Sequence, residues 1–85
     1  MIKRFQVSYT GNATQFKGCK SFEYAETKKD AVLKVYARYL NHDYFPQEDG
    51  NIFDQDNNLI SARGDDAIYH DGGYFIAEEN KIKLY

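Results

Sequence analysis

One segment of this 85-residue chain, residues 27–40, has helical periodicity, and short β-like stretches separated by turns make up the remainder. Thr27 is a good N-cap residue, and Asp30 follows three positions later, close to the spacing of a capping box. The helix is expected to end near Asn41 and His42, because Pro46 prevents its continuation. Its apolar positions fall on one face: Val32, Val35, Tyr36, Tyr39 and Leu40.

Alternating apolar and polar residues predict strands on both sides of the helix. The first covers residues 2–9, with Phe5, Val7 and Tyr9 on one face. The second covers residues 16–24 as its antiparallel neighbour, with Phe16, Phe22 and Tyr24 on one face. Residues 43–51 are interpreted as a polar loop. Three hairpins are predicted after it: Ile52-Phe53 with Leu59-Ile60, Ile68-Tyr69 with Tyr74–Ile76, and Tyr74–Ala77 with Lys81–Tyr85.

One helix covers a sheet on one face only. The sequence therefore predicts an α+β fold, with a mostly antiparallel β-sheet and one α-helix packed on one face, in the order β-β-α-β-β-β-β. At 85 residues the chain is expected to form a single domain, residues 1–85. With no apolar run long enough for a membrane span and no secretory signal pattern, we expect a cytoplasmic protein that does not contact a membrane.

Charge is sorted along the chain, although the net charge is only −2. Residues 1–42 hold 8 Lys and Arg against 3 Asp and Glu, whereas residues 43–80 hold 10 Asp and Glu against a single Arg63. This sorting indicates electrostatic selection of a partner more than it indicates chemistry.

The sequence contains no convincing motif for catalysis, for a cofactor or for a metal. We therefore expect a protein that is not an enzyme and binds no cofactor. Residues 54–65 begin like a calcium-binding loop but have Leu59 where such a loop needs Gly. Two His-Asp pairs, at His42 and His70, are too few ligands for a metal phosphohydrolase, although a weak surface metal site joining them stays open. Cys19 is the single cysteine, which excludes an internal disulfide.

The acidic half is interpreted as a protein-binding surface. Carboxylates at turns create a negative field, and nearby aromatic rings can anchor an interface. An alternative explanation is that turns collect Asp, Asn and Gly for conformational reasons. The expected partner is a larger protein or nucleoprotein complex with a basic surface. The expected contacts are Asp43, Tyr44, Asp54, Asp56, Asp65, Asp66, Tyr69 and Asp71.

A second hypothesis is direct nucleic-acid binding by the basic N-terminal half. Its cations and rings could neutralise and stack on a single strand: Lys3, Arg4, Lys17, Lys20 and the helix lysines, interleaved with Phe5, Tyr9, Phe16 and Phe22. The overall acidity, with a pI of about 5.6, speaks against it. The helix contributes four cations to this hypothesis: Lys28, Lys29, Lys34 and Arg38.

The segment Phe22-Glu-Tyr-Ala-Glu-Thr-Lys-Lys-Asp-Ala-Val, followed by a short amphipathic helix, resembles the strand-to-capped-helix unit of many small phage-encoded proteins. Some anti-CRISPR proteins are among them. The resemblance covers roughly residues 2–41. It implies a non-enzymatic inhibitor that occludes a nucleic-acid or partner site on a host complex. Separately from the resemblance, we expect a monomer or homodimer in the cytoplasm of a host cell.

Overall fold

The computed structural model describes residues 1–11 and 20–79. It contains seven strands and one helix, which confirms the α+β prediction. In chain order they are β1 (Lys3–Thr10), β2 (Lys20–Ala25), α1 (Lys28–Leu40), β3 (Tyr44–Pro46), β4 (Ile52–Asp54), β5 (Leu59–Ser61), β6 (Ile68–His70) and β7 (Gly73–Glu79).

The larger sheet has four antiparallel strands in the order β2-β1-β7-β6. In β1 the predicted alternation is confirmed, since Phe5, Val7 and Tyr9 are buried and the residues between them are not. β1 pairs with β2 as predicted, and its other edge pairs with β7, so that Phe5 lies opposite Glu79. The first strand is therefore central in the sheet.

Helix α1 begins as the sequence predicts. Thr27 adopts an extended conformation, and its hydroxyl accepts a hydrogen bond from the Asp30 N–H at 3.1 Å. The helix ends at Leu40, and the C-cap residue Asn41 has a left-handed φ of 52° that closes the last turn. The helix packs against β1, β2, β6 and β7, which confirms that it covers one face of the sheet.

Residues 43–51 are not wholly a loop, as the sequence predicted, because Tyr44–Pro46 forms β3 and pairs with β4. Together with β5 these strands make a separate three-stranded sheet, so the fold has two antiparallel sheets where one was expected. Both hairpins predicted around the turns after Asp54 and His70 are present. In the first of these turns Asn57 has a left-handed φ of 66°, which asparagine tolerates.

The core joins the helix to both sheets. Val32, Val35 and Tyr36 of the predicted helical face are buried, together with Ile52 and Ile60 of the smaller sheet. Tyr39, which belongs to the same predicted apolar face, is 41% exposed. It lies in the last turn of the helix, beyond the buried stretch that ends at Tyr36.

The opposite face of the four-stranded sheet carries exposed aromatic rings. Phe22 and Tyr24 share one face of β2 as predicted, and that face points away from the helix. The predicted strand at residues 81–85, and the start of the second strand at residues 16–19 with Cys19, lie outside the described residues.

Candidate functional site

A cleft of about 730 Å³ opens where the turn between β4 and β5 approaches the turn between β6 and β7. Both turns use left-handed backbone conformations, at Asn57 in the first and at Asp71 and Gly72 in the second. The polar side chains that line the cleft come from both turns and from the helix C-terminus: His42, Asp54, Asp56, Asn58, His70 and Asp71. Tyr69 and Tyr74 complete the wall.

Asp54 holds the first of these turns together. Its carboxylate accepts hydrogen bonds from the Asp56 N–H at 2.9 Å and from the Asn58 N–H at 2.8 Å. Desolvation opposes ionisation of Asp54, but the hydrogen bonds from Asn58 and Asp56, and the nearby charge of His42, outweigh it and lower the pKa of the carboxyl group. Asp54 is therefore a turn-forming carboxylate that also contributes negative charge to the cleft.

Two histidines meet at the cleft, and the helix residue Tyr36 contacts both. The ring centroids of His42 and His70 are 6.3 Å apart. The centroid of the Tyr36 ring lies 6.3 Å from that of His42 and 6.4 Å from that of His70. Tyr36 is fully buried, and its hydroxyl has no hydrogen-bond partner among the described residues. Burial, followed by the charges of Asp54 and Asp56, raises the pKa of Tyr36.

The sequence left open a weak surface metal site joining His42 and His70, but it gave no evidence that the two side chains lie close together. His42 and His70 are far apart in the chain, and no local pattern shows that α1 and β6 bring them together. The described residues contain no group of three or more His, Cys, Asp and Glu side chains placed to hold a metal ion.

Half of the predicted partner contacts lie around the cleft. Asp54, Asp56, Tyr69 and Asp71 line it, and Asp65 is joined to it through a 3.0 Å hydrogen bond from the Tyr69 hydroxyl. That hydrogen bond and the charge of Asp65 raise the pKa of Tyr69.

The other three predicted contacts do not line the cleft. Tyr44 is half-buried and lines a smaller cavity of about 230 Å³ beside the helix, with Leu33 and Lys34. Asp43 and Asp66 are exposed. The backbone N–H of Asp43 donates to the Gln55 side chain at 3.3 Å.

The carboxylates of the cleft are not neutralised by ion pairs. Across residues 1–11 and 20–79, the ion pairs are Lys3 with Glu79 and Arg38 with Glu23. Neither involves a carboxylate from residues 43–71, so the negative charge of this half is left facing solvent.

The four helix cations of the nucleic-acid hypothesis do not form one stripe. Lys34 donates a hydrogen bond to the Tyr24 carbonyl at 2.8 Å. Arg38 donates a hydrogen bond to the Ser21 hydroxyl and forms an ion pair with Glu23. Both cations therefore lie along β2. Lys29 donates to the Ala62 carbonyl at 3.2 Å, just past β5. Phe5 and Tyr9, which the same hypothesis used for stacking, are buried in the core and unavailable to bases.

The remaining sequence patterns have plain structural roles. Residues 54–58 form the hairpin turn described above, as expected in place of a calcium loop. Residues 62–65 form a further turn, closed by a 3.0 Å hydrogen bond from the Asp65 N–H to the Ala62 carbonyl, in which Gly64 has a φ of 81°. No helix within the described part of the chain is long and apolar enough to cross a membrane.

Comparison of the chain with protein-family models, with curated proteins and with solved structures finds no match.

Proposed function

We propose that this protein is a small non-enzymatic inhibitor that binds a basic, nucleic-acid-binding site on a larger complex in the cytoplasm of a host cell. On this proposal it is phage-encoded and acts against host defence, as anti-CRISPR proteins do. The observation that carries the proposal is the concave arrangement of Asp54, Asp56 and Asp71 with Tyr69, in which no carboxylate has an ion-pair partner among the described residues.

The charge of the cleft favours this type of partner. Unpaired carboxylates around a concavity focus a negative potential, which steers a basic surface into contact and repels nucleic acid. Asp56 and Asp71 are exposed in their two turns. A lysine or arginine of the partner can therefore contact their carboxylates without any rearrangement of this protein's backbone. The mechanism is occlusion of the partner's nucleic-acid site.

Tyr69 provides an anchor that is already oriented. It is 48% exposed, its hydroxyl is held by Asp65, and its ring lies 6.1 Å from that of Tyr74. A side chain restrained before binding loses less rotamer entropy when the complex forms. Tyrosines of this kind are enriched among the residues that dominate interface energies.

The test is an affinity pull-down with the tagged protein from lysate of the native host, read by mass spectrometry, with matched variants. The cleft variant is Asp56→Asn/Asp71→Asn, which removes two charges while keeping turn-compatible residues. The control is Glu26→Gln/Glu48→Gln, which removes two exposed charges outside the cleft.

The expected result is a nucleic-acid-handling complex that wild type and control capture, that nucleic acid competes away, and that the cleft variant binds about tenfold more weakly. Binding should weaken as salt rises. Equal capture by the cleft variant would contradict the assignment of the cleft. Capture of no protein at low salt would contradict the proposed function.

A further inference from the structure

A second exposed surface lies along β2, at the opposite edge of the four-stranded sheet from β6. Phe22 and Tyr24 are 49% and 60% exposed there, on the sheet face that the helix leaves uncovered. Arg4 of β1 lies opposite Tyr24, and its guanidinium carbon is 4.3 Å from the centroid of the Phe22 ring. We call these three residues, with Lys20, the β2 platform.

Several of the described cations lie at this edge. Lys20 lies on the same face of β2 as Phe22, while Lys34 and Arg38 border the strand from the helix side through their bonds to Tyr24 and Ser21. The acids on or next to β2 are Glu23, which Arg38 neutralises, and Glu26, just past the end of the strand. The β2 platform is therefore locally basic in a protein whose net charge is −2.

We propose that the β2 platform binds single-stranded nucleic acid. Phe22 and Tyr24 are two residues apart on one strand, which places their side chains about 7 Å apart, so that two successive unstacked bases can each lie on a ring. Exposed aromatic rings on a sheet, bordered by cations for the phosphates, are the arrangement that holds single strands without sequence preference.

The geometry favours a single strand over the other occupants of such a face. Duplex bases are already stacked and cannot use the two rings. The Arg4 guanidinium lies over the Phe22 ring, and an unstacked base can stack on that planar group as it does on an aromatic ring. Gln6 and Ser8 of β1, beside Phe22 and Lys20, supply neutral hydrogen-bonding groups. On the next strand, β7, Glu78 lies opposite Gln6. Its negative charge ends the basic surface there, so the surface covers only β1 and β2.

The platform differs from the set that the sequence suggested for nucleic acid. It keeps Arg4, Lys20 and Phe22, with Lys34 and Arg38 at its border, and it adds Tyr24. It leaves out Phe5 and Tyr9, which are buried, and does not use Lys28 or Lys29. It is also separate from the acidic cleft, because none of its residues lines that cleft.

The experiment is fluorescence anisotropy with labelled oligo(dT) and oligo(U) of about ten nucleotides, and with a duplex of the same length, over a series of salt concentrations. The stacking variant is Phe22→Leu/Tyr24→Leu, which keeps apolar bulk but removes both rings. Its matched control is Phe45→Leu on β3, which is 48% exposed. The contribution of the positive charge is tested by comparing Lys20→Gln with Lys28→Gln, which lies outside the platform. Circular dichroism verifies that every variant is folded.

Wild type is expected to bind the single strands more tightly than the duplex. The stacking variant should lose about tenfold in affinity for each ring removed. The Lys20→Gln variant should lower the slope of log K against log salt by about 0.7, and both controls should behave as wild type. The Asp56→Asn/Asp71→Asn variant should bind the oligonucleotides at least as well, so this proposal and the proposed function can fail separately.

Absence of oligonucleotide binding at low salt would overturn the proposal, as would an unchanged affinity in the stacking variant. Duplex binding as tight as that of the single strands would show that charge alone is responsible. If the stacking variant instead abolishes a concentration-dependent dimer in analytical ultracentrifugation, while no oligonucleotide binds, the surface is an interface between two copies of the chain.

Discussion

The buried hydroxyl of Tyr36 predicts that a Tyr36→Phe variant is more stable than the wild type. The side chain is fully buried and its hydroxyl has no partner among the described residues. An unpaired buried hydroxyl costs about 1–3 kcal/mol. Phenylalanine keeps the ring and therefore the contact with Phe75, whose centroid is 6.4 Å away. We expect the free energy of unfolding to rise by about 1 kcal/mol, and the melting temperature to rise by roughly 4–8 °C.

The assay is urea unfolding at pH 7 followed by far-ultraviolet circular dichroism, with Tyr9→Phe as the matched control. Tyr9 is also buried, but its hydroxyl donates to the His70 carbonyl at 2.9 Å. Removing that hydroxyl should therefore cost about 1 kcal/mol, so that the two variants move in opposite directions. A loss of stability in Tyr36→Phe would refute the reasoning, since the hydroxyl would then be hydrogen-bonded in solution.

The same residue predicts a pH dependence. The pKa of Tyr36 is raised above its ordinary value of 10.0, first by burial and then by Asp54 and Asp56. Above about pH 10 the unfolded chain ionises this hydroxyl while the folded protein keeps it neutral, so stability present below that pH is lost as pH rises through the folded pKa. The Tyr36→Phe variant lacks this loss, and its advantage over wild type should widen above pH 10. A constant difference across that range would contradict the raised pKa.

Three further variants test the fold by chemical denaturation. Thr27→Ala should lose about 1 kcal/mol because the hydroxyl that caps α1 is removed, whereas Thr27→Ser should retain most of the stability. Gly73→Ala should cost roughly 2–3 kcal/mol, because its Cβ would lie 2.3 Å from the Thr10 carbonyl oxygen, while Gly64→Ala, with open space around it and a φ of 81°, should cost only about 1 kcal/mol. Asp54→Ala should lose about 1 kcal/mol through its turn hydrogen bonds, and Asp54→Asn, which keeps an acceptor, should lose less.

Features set by neighbouring residues were the ones that the sequence predicted well. The Thr27 cap, the buried stripe of α1 and the hairpin turn at Asp71-Gly72 each depend on a few consecutive residues. Strand β3 was missed because Tyr44–Pro46 is short and contains proline, and it becomes a strand by pairing with β4. Local propensity cannot supply that partner.

The sites were only partly predictable for the same reason. The sequence identified Asp54, Asp56, Tyr69 and Asp71 by residue type, and folding brings them around one cleft. The meeting of His42 with His70 depends on how α1 docks against β6, which no local pattern encodes. Phe22 and Tyr24 were assigned to a common face, but only the sheet order shows that this face is uncovered.

The pairing of β1 with β7 determines when this protein can fold during its synthesis. β1 leaves the ribosome first, yet one of its edges stays open until Gly73–Glu79 has also emerged, because those residues are its partner. The hairpin of β1 with β2 and the helix can form earlier, but the sheet that buries Val7 and Phe75 closes late. Contacts between residues so distant in sequence slow folding. A ribosome paused before Glu79 would therefore hold a nascent chain with an open, aggregation-prone strand edge.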